Sequence, residues 1–308
     1  MNTEDSFGGC IIGGVIGDAW GSSYEFENVV DLSKIYHWEE LSKTSKERTW
    51  NITDDTQLTL ATCEALGGDF YSTDKLAGRF LDYYRKKKLS GVGASTLKAL
   101  RDLDAGIHWR QSGRIGEYSA GNGAAMRIAP FAFFPSISRE DIYNATRITH
   151  HNDEAYVGAL AVFLSIKSIL EKEWNGTNDL FEIIITQLPD TKTRDRLVEI
   201  SQLSKTVTIE EVSKLGNNGY VVNSVPFAIY AATQVLKIGM EKMFEKIIQT
   251  GGDTDTNSSI AGQIAGALIG YDHIPKELRH KVEQLKEYRW ITEIIDHTRK
   301  SMKQNLYT

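Results

Sequence analysis

The segment TGGDTDTN at residues 250–257 runs directly into SSIAGQIAGALIG at residues 258–270. The second segment is small and apolar throughout, which predicts a buried helix. Gly262, Gly266 and Gly270 recur at every fourth position of this helix. That spacing permits another helix to approach very closely, so we expect this helix to lie at the centre of the fold.

The preceding loop carries unusual chemistry. Gly251 and Gly252 give a backbone that can bend sharply and be approached closely. Asp253 and Asp255 follow at the start of the helix, where the backbone N–H groups and the helix dipole favour anions. We therefore expect this loop to belong to a functional site.

A second acidic cluster, TDDT at residues 53–56, also stands at a predicted helix start. Helix capping explains one Asp or Thr at such a position, but not four such residues in a row. Carboxylates packed this densely repel one another unless a cation joins them. Oxygen ligands of this kind suit magnesium, manganese or calcium.

The composition is that of a globular protein, with 308 residues, 41% hydrophobic and 25% charged, and a net charge of −6. The negative charge argues against bulk nucleic-acid binding but allows a small anionic ligand. Cys10 and Cys63 lie in apolar helical patterns, which suggests buried free thiols and a cytoplasmic protein. The N-terminus lacks a secretory signal, and no apolar run is long enough to predict a membrane span.

Helical patterns follow one another along the chain, and strand signals are nearly absent. The only strand candidates are residues 206–208 and 220–222. We therefore predict a single compact all-α domain over residues 1–308. The predicted helices lie near residues 7–17, 54–66, 74–87, 92–106, 138–149, 153–170, 177–187, 191–204, 208–214, 222–236, 240–249, 255–270, 275–285 and 287–303.

Three further features are candidates for ligand contact. The segment SAGNGAAMR at residues 119–127 suits a left-handed turn that runs into a helix start and offers N–H groups to phosphate, although an ordinary turn fits equally well. His150 and His151 could bind a metal, but the oxygen clusters favour a hard ion, so we expect His150 to hydrogen-bond or contact a ligand. Glu25 follows the first helix, as a surface acid or a site residue.

These segments together resemble the ADP-ribosylhydrolase family, the dimetal glycohydrolases that include dinitrogenase reductase-activating glycohydrolase. The resemblance extends over most of the chain, and the two acidic motifs in this order are its most specific part. The matching segments are IIGGVIGDAWGSSYE, TDDT, AGNGAAMR, THHND, NSVPFAIYA and GGDTDTNSSIAGQIAGALIG.

The resemblance implies an all-α fold with two Mg²⁺ or Mn²⁺ ions in a central cleft. It implies a mobile ligand or acid/base role for Glu25, and places His150 near the distal ligand. The implied metal ligands are Glu25, Thr53, Asp54, Asp55, Asp253, Asp255 and Thr256. The implied substrate-binding residues are Ser119, Gly121, Asn122, Gly123, Met126, His150, Gly251 and Gly252.

One position departs from the family pattern. Some members carry an aromatic residue that stacks on adenine just before the Gly-Asn pair, and here that position is Ala120. Tyr118 is the candidate replacement. The family cleaves arginine-linked, serine-linked and free ADP-ribose derivatives, so the resemblance leaves the acceptor open.

The implied activity is hydrolysis at an anomeric carbon, with Glu25, Asp54 and Asp255 as catalytic residues. Two divalent ions would offset the charge of the five clustered carboxylates and lower the pKa of bound water, and Glu25 would act as acid or base. The expected partner of this monomer is an ADP-ribosylated protein or an ADP-ribose derivative. The alternatives are a non-catalytic ADP-ribose-binding module and a crystallin-like structural relative, but the intact acidic motifs favour an enzyme.

Overall fold

The computed structural model describes residues 2–25, 49–68, 70–203 and 206–304. These residues form a single compact all-α domain, as predicted. The helices are α1 (Thr3–Gly21), α2 (Asp54–Leu66), α3 (Thr73–Arg85), α4 (Ala94–Asp104), α5 (Arg139–Arg147), α6 (Asp153–Leu170), α7 (Leu180–Ile185), α8 (Lys192–Ser201), α9 (Ile209–Val212), α10 (Val221–Thr233), α11 (Val235–Ile238), α12 (Met240–Gln249), α13 (Thr254–Ile269), α14 (Lys276–Glu283) and α15 (Tyr288–Gln304).

In the described ranges, five short 3₁₀ helices connect some of these elements. They are Glu117–Ser119, Asn122–Arg127, Ala129–Phe133, Ser213–Leu215 and Tyr271–His273. Two predicted helices are divided in the structure: the one near residues 208–214 ends in a 3₁₀ turn, and the one near 222–236 breaks into α10 and α11.

The pair α1 and α13 forms the centre of the domain. A Cβ atom built at Gly9 or Gly13 of α1 would overlap the carbonyl oxygen of Gly266 or Gly262 of α13. The glycines thus allow the two backbones to touch, which confirms the close approach expected from their spacing. Because the contacts run in opposite directions along the two chains, the helices are antiparallel. The C-terminal end of α1 therefore meets the N-terminal end of α13, where the Thr254 hydroxyl donates to the Gly21 carbonyl at 2.8 Å.

Neither of the two strand candidates forms a strand. The described residues contain one two-stranded parallel sheet, in which β1 (Arg114–Ile115) pairs with β2 (His150–His151). In the segment 206–208, Thr208 caps α9 in a reciprocal hydrogen-bonded box with Glu211. In the segment 220–222, Tyr220 forms only an isolated bridge to Gly121, and Val221 begins α10. Local side-chain capping and the start of a helix therefore replaced the extended structure that β-branched residues favour.

None of the helices in the described part of the chain is both long and apolar enough to cross a membrane.

Candidate active site

A cavity of about 250 Å³ opens where α1, α2 and α13 converge. Five carboxylates line it: Glu25 follows α1, Asp54 and Asp55 open α2, and Asp253 and Asp255 lie at the start of α13. The antiparallel packing of α1 on α13 brings the end of one helix to the start of the other. The two acidic motifs, far apart in sequence, thus face one space.

Asp18 lies beneath this cavity and was not singled out by the sequence reasoning. It is fully buried near the end of α1. Its carboxylate accepts from the Thr53 backbone N–H at 2.9 Å, the Thr53 hydroxyl at 2.7 Å and the Thr56 backbone N–H at 3.1 Å. Asp18 therefore caps α2 from another helix. The sequence feature that could have identified Asp18 is a single carboxylate within the glycine-rich apolar segment 7–21.

The backbone N–H groups at the start of α2 find their hydrogen-bond partners within the protein. The Asp54 N–H donates to the Ser90 carbonyl at 2.8 Å, and the Thr53 hydroxyl accepts from the Asp55 N–H at 3.4 Å. The Asp18 carboxylate also accepts from the Thr56 N–H. The backbone N–H groups in the first turn of α2 are therefore hydrogen-bonded within the protein. Thr53 acts as the N-cap, while Asp54 and Asp55 are free to face the cavity.

Three buried carboxylates form the densest cluster. Asp18, Asp55 and Asp255 each have an oxygen within 4.8 Å of the others. The Thr256 hydroxyl donates to Asp55 Oδ2 at 3.2 Å, but Asp55 Oδ1 is buried and has no hydrogen-bond partner among the described residues. An unpaired buried carboxylate oxygen is costly. The cluster is an oxygen-only donor set that suits a hard divalent cation.

The electrostatics of the cluster are consistent with a cation site. Burial, followed by the charge of neighbouring aspartates, raises the pKa of Asp54, Asp55 and Asp255 well above the ordinary value. The guanidinium of Arg127 partly offsets this effect at Asp54. Without a cation the folded protein must therefore hold charged groups that repel one another or keep them protonated.

Glu25 is half-buried on the cavity wall, directly before the segment 26–48 that lies outside the described residues. Burial, followed by the charges of Asp253 and Asp18, raises its pKa. Because Glu25 is more exposed than Asp54, Asp55 and Asp255, it can exchange a proton with water or a ligand more readily than these three aspartates.

The glycines before Asp253 shape the acidic loop and do not line the cavity. Gly251 and Gly252 have φ angles of 65° and 78°, which side-chain-bearing residues rarely adopt. Asn217 holds this bend: its side-chain amide donates to the Gly251 carbonyl at 2.8 Å, and its carbonyl accepts from the Asp253 N–H at 3.0 Å. The sharp bend was predicted, whereas the contribution of Asn217 was not.

Of the two alternatives for the loop around Gly121, Gly121 does not adopt the left-handed one. Gly121 has a φ of −82° and precedes the 3₁₀ helix Asn122–Arg127. A Cβ atom at Gly121 would lie 3.1 Å from His150 Nε2, and one at Gly123 would lie 3.0 Å from His150 Cε1. The absence of side chains at these two glycines therefore leaves room for the imidazole ring.

The two histidines point in different directions, as consecutive residues of a strand do. His150 is buried and lines the cavity, and burial lowers its pKa to about 3, with a smaller contribution from Arg127. His151 turns away, and its Nε2 lies 2.6 Å from the Ser112 carbonyl. The geometry therefore gives no support to a metal site built from both histidines.

The predicted site residues thus fall into two groups. Those that line the cavity are Glu25, Asp54, Asp55, Asn122, Gly123, Met126, His150, Asp253, Asp255 and Thr256. Those that do not line it are Thr53, Ser119, Gly121, Gly251 and Gly252. Of the second group, Ser119 is fully buried and its hydroxyl donates to the Arg114 carbonyl at 2.7 Å.

A larger cavity, of about 360 Å³, lies elsewhere and is bordered by Trp174, Phe181 and Tyr230. It contains no comparable cluster of acidic groups in the described residues. We therefore place the candidate active site in the smaller, acidic cavity.

Comparison with known proteins identifies the family. The chain belongs to the ADP-ribosylglycohydrolase family, whose family model matches residues 1–306. It is thereby an enzyme of the ADP-ribosylhydrolase class, acting on ADP-ribosylated substrates. The resemblance seen in the sequence motifs is confirmed.

Individual relatives match along most of their length. ADP-ribosylhydrolase ARH3 from Danio rerio is 30% identical, with 91% of this chain and 87% of that protein covered. ARH3 from Homo sapiens is 28% identical, with 91% and 90% covered. ADP-ribosylarginine hydrolase Tri1 from Pseudomonas putida (strain GB-1) is 26% identical, with 89% and 73% covered.

A solved structure described as an ADP-ribosylglycohydrolase-related protein complex superposes with a TM-score of 0.72. The superposition includes 97% of this chain and 99% of the solved chain, and the two sequences are 21% identical. This similarity supports the fold.

Proposed function

We propose that the protein hydrolyses the N- or O-glycosidic bond between ADP-ribose and an acceptor, using two divalent ions, Mg²⁺ or Mn²⁺. The acceptor is a modified protein side chain or a small molecule. The observation that supports this most is the meeting of five carboxylates with the loop Asn122–Arg127 and His150 around one cavity. The cavity thus offers a cation site and a ligand loop within the same space.

The proposed metal ligands are Glu25, Thr53, Asp54, Asp55, Asp253, Asp255 and Thr256. The unpaired Oδ1 supports this assignment for Asp55, and the close approach of the Asp55 and Asp255 carboxylates supports it for that pair. Thr53 is retained because its hydroxyl lies 3.4 Å from Asp55 Oδ2. We assign Asp18 a supporting role, because its carboxylate already accepts hydrogen bonds from Thr53 and Thr56.

In the proposed chemistry, the bound divalent ions supply Lewis acidity and lower the pKa of water. Glu25 is the acid/base when it is not bound to an ion, because its raised pKa and partial exposure suit proton exchange. Asp54 and Asp255 are buried beside the proposed reacting centre and would carry negative charge once the divalent ions favour their ionised form. That charge would stabilise the oxocarbenium character expected in glycoside cleavage.

The proposed ligand contacts come from the other wall of the cavity. Asn122, Gly123, Met126 and His150 line it and would face the diphosphate and ribose. The four predicted ligand-binding residues that do not line the cavity would fix the backbone of the two loops that form its wall. They are Ser119, Gly121, Gly251 and Gly252. We expect this arrangement to favour an anionic, hydroxyl-rich ligand.

For adenine, the buried Ala120 offers no ring to stack on. Tyr118 is 85% exposed two positions earlier, and Tyr220 is 37% exposed and bridged to Gly121. We propose that Tyr118, Tyr220 or both supply the missing aromatic surface. Stacking on an aromatic ring tolerates changes in ring position better than hydrogen-bonded recognition does.

The acceptor is the part of the proposal that needs a direct test. Purified protein would be incubated with arginine-linked and serine-linked ADP-ribosyl peptides and with O-acetyl-ADP-ribose, and the released ADP-ribose measured. We expect release from at least one substrate, loss on chelation, and recovery with magnesium or manganese. Asp255→Ala serves as the inactive control.

The same experiment tests the alternatives. Binding of ADP-ribose without release from any of the three substrates would favour the binding module. Absence of both binding and release would favour the structural relative. Recovery only with zinc would contradict the oxygen-only site.

We further propose that residues 1–308 act as one domain, as a monomer, in the cytoplasm. Light scattering on the purified chain would test the oligomeric state, and a mass of about two chains would contradict it.

A further inference from the structure

Arg127, Thr149 and His150 form a chain of hydrogen bonds behind the cavity. Arg127 Nη2 donates to Thr149 Oγ1 at 2.8 Å, and Thr149 Oγ1 lies 2.7 Å from His150 Nδ1. All three side chains are at least 97% buried. Because the Thr149 hydroxyl is buried between the other two side chains, its hydrogen-bond partners must come from the protein.

The Arg127 guanidinium determines which group donates and which accepts in each of these hydrogen bonds. Arginine can only donate, so Thr149 Oγ1 accepts from Arg127. The threonine hydroxyl has one proton to donate, and His150 Nδ1 is its only acceptor among the described residues. If Nδ1 carried a proton instead, that hydroxyl proton would be buried without a partner, which is costly. The favoured arrangement has Thr149 donating to Nδ1 and the imidazole proton on Nε2.

The opposite edge of the imidazole faces the cavity and its loop. His150 lines the cavity, and its Nε2 lies where a Cβ at Gly121 would come within 3.1 Å. Arg127 Nη1 also donates to the Gly123 carbonyl. One guanidinium therefore holds both the loop and, through Thr149, the histidine that the loop surrounds.

We propose that Arg127 and Thr149 are positioning residues that fix His150 as a neutral Nε2–H donor to an oxygen of ADP-ribose. This inference rests on the proposed function for the identity of the ligand. It excludes His150 as a general base, because Nδ1 is occupied and Nε2 is protonated. It also excludes His150 as a metal ligand. The lowered pKa of His150, about 3, agrees with a neutral ring.

The tautomer can be read in the ligand-free protein by long-range ¹H–¹⁵N NMR with ¹⁵N-labelled histidine, with His150→Gln to assign the signal. We expect the wild-type His150 to carry its proton on Nε2 and to accept a hydrogen bond at Nδ1. A proton on Nδ1, or an imidazolium at neutral pH, would overturn the inference whatever the enzyme cleaves.

The role of Thr149 is tested by isosteric replacement. Thr149→Val should weaken ADP-ribose binding about 10-fold, the order expected for one misdirected hydrogen bond. Thr149→Ser should bind within about 3-fold of wild type, because it keeps the hydroxyl. Thr146→Val is the matched control: Thr146 is equally buried, but its hydroxyl donates to the Ile142 carbonyl at 2.9 Å and does not reach His150.

Equal affinity in Thr149→Val and wild type would overturn the positioning role. Equal loss in the Val and Ser variants would show a packing effect and would overturn it too. If Thr149→Val does not fold, the wild-type tautomer and the Ser variant decide the question. Failure of wild type to bind ADP-ribose, with the Nε2 proton observed, would overturn the proposed ligand and the proposed function but not the proton arrangement.

Discussion

The side-chain amide of Asn122 donates a 2.7 Å hydrogen bond to Asp253 Oδ2. The two residues are separated by 131 positions in the sequence, and they belong to the proposed ligand loop and the proposed metal loop. A change of charge or geometry at Asp253 therefore changes the hydrogen bond that holds the Asn122 side chain. We expect metal binding and ligand binding to be coupled through this bond.

Magnesium should stabilise the folded protein, because the site carboxylates repel one another without a cation. A ligand that binds only the folded state adds about 2.7 kcal/mol at a hundredfold excess over its Kd. We expect the melting temperature to rise by about 5 °C and the rise to shrink in Asp253→Asn. Asp195→Asn, at an exposed position of α8, is the control that should keep the full rise. No change across millimolar magnesium would count against a preformed site.

Replacement of Glu25 should separate ligand binding from catalysis. Glu25→Ala should still bind ADP-ribose at saturating magnesium but lose turnover by about 10²–10⁴-fold, the usual contribution of a general acid or base. Asp54→Ala and Asp255→Ala should lose both metal affinity and turnover, since these carboxylates are buried in the cluster. Calorimetry with ADP-ribose and release of ADP-ribose from modified peptide measure the two properties.

Hydrolysis at the wild-type rate by Glu25→Ala would show that the acid/base is one of the aspartates. Normal magnesium affinity in Asp255→Ala would remove that residue from the metal site.

The contact between α1 and α13 should be intolerant of a single methyl group. In Gly13→Ala the new Cβ would overlap the Gly262 carbonyl oxygen, and overpacking of this kind costs about 1–3 kcal/mol. Gly78→Ala is the matched control, because a Cβ there meets nothing within 4 Å in the described residues and alanine is the better helix former. Urea unfolding should show the first variant destabilised and the second unchanged or more stable. Equal stability of the two would contradict the close contact.

Much of the fold could be predicted from sequence because its signals are local. The glycine repeat of α13 and the periodic patterns of the other helices depend on residues a few positions apart. The strands could not be predicted in this way: β1 and β2 are two residues each and exist only because distant segments meet. Isolated pairs of residues carry no usable periodicity.

Site residues could be predicted from the sequence where several carboxylates lie close together in it. Single residues that hold others in place by hydrogen bonds could not be predicted. Asp54, Asp55, Asp253 and Asp255 form visible clusters, and all four line one cavity. Asp18 and Asn217 act through hydrogen bonds to residues about 35 positions or more away. Of the two glycines predicted in the 121–123 segment, Gly123 lines the cavity and Gly121 does not. Both lie against the imidazole of His150, a contact that no local pattern in the sequence shows.

His150 should make stability depend on pH. Its folded pKa of about 3 lies below the ordinary value of 6.5, so between these values the unfolded state binds more protons. The free energy of unfolding should therefore fall as the pH falls from 6.5 towards 3, by up to about 1.4 kcal/mol per unit. His150→Gln lacks this contribution. At saturating magnesium, urea unfolding between pH 6.5 and 4.5 should show a steeper loss in wild type by about 2 kcal/mol. Parallel pH profiles would contradict the buried neutral imidazole.

The pairing of α1 with α13 has a consequence for the order of events during synthesis. The Thr254–Gly21 hydrogen bond spans 233 residues, so α1 leaves the ribosome long before its partner exists. Its glycines give it a low helix propensity of its own. Its apolar side chains are not buried against α13 until that helix has been made. We expect nascent chains shorter than about 250 residues to show rapid amide exchange in residues 7–21, with protection arising only once α13 has been made.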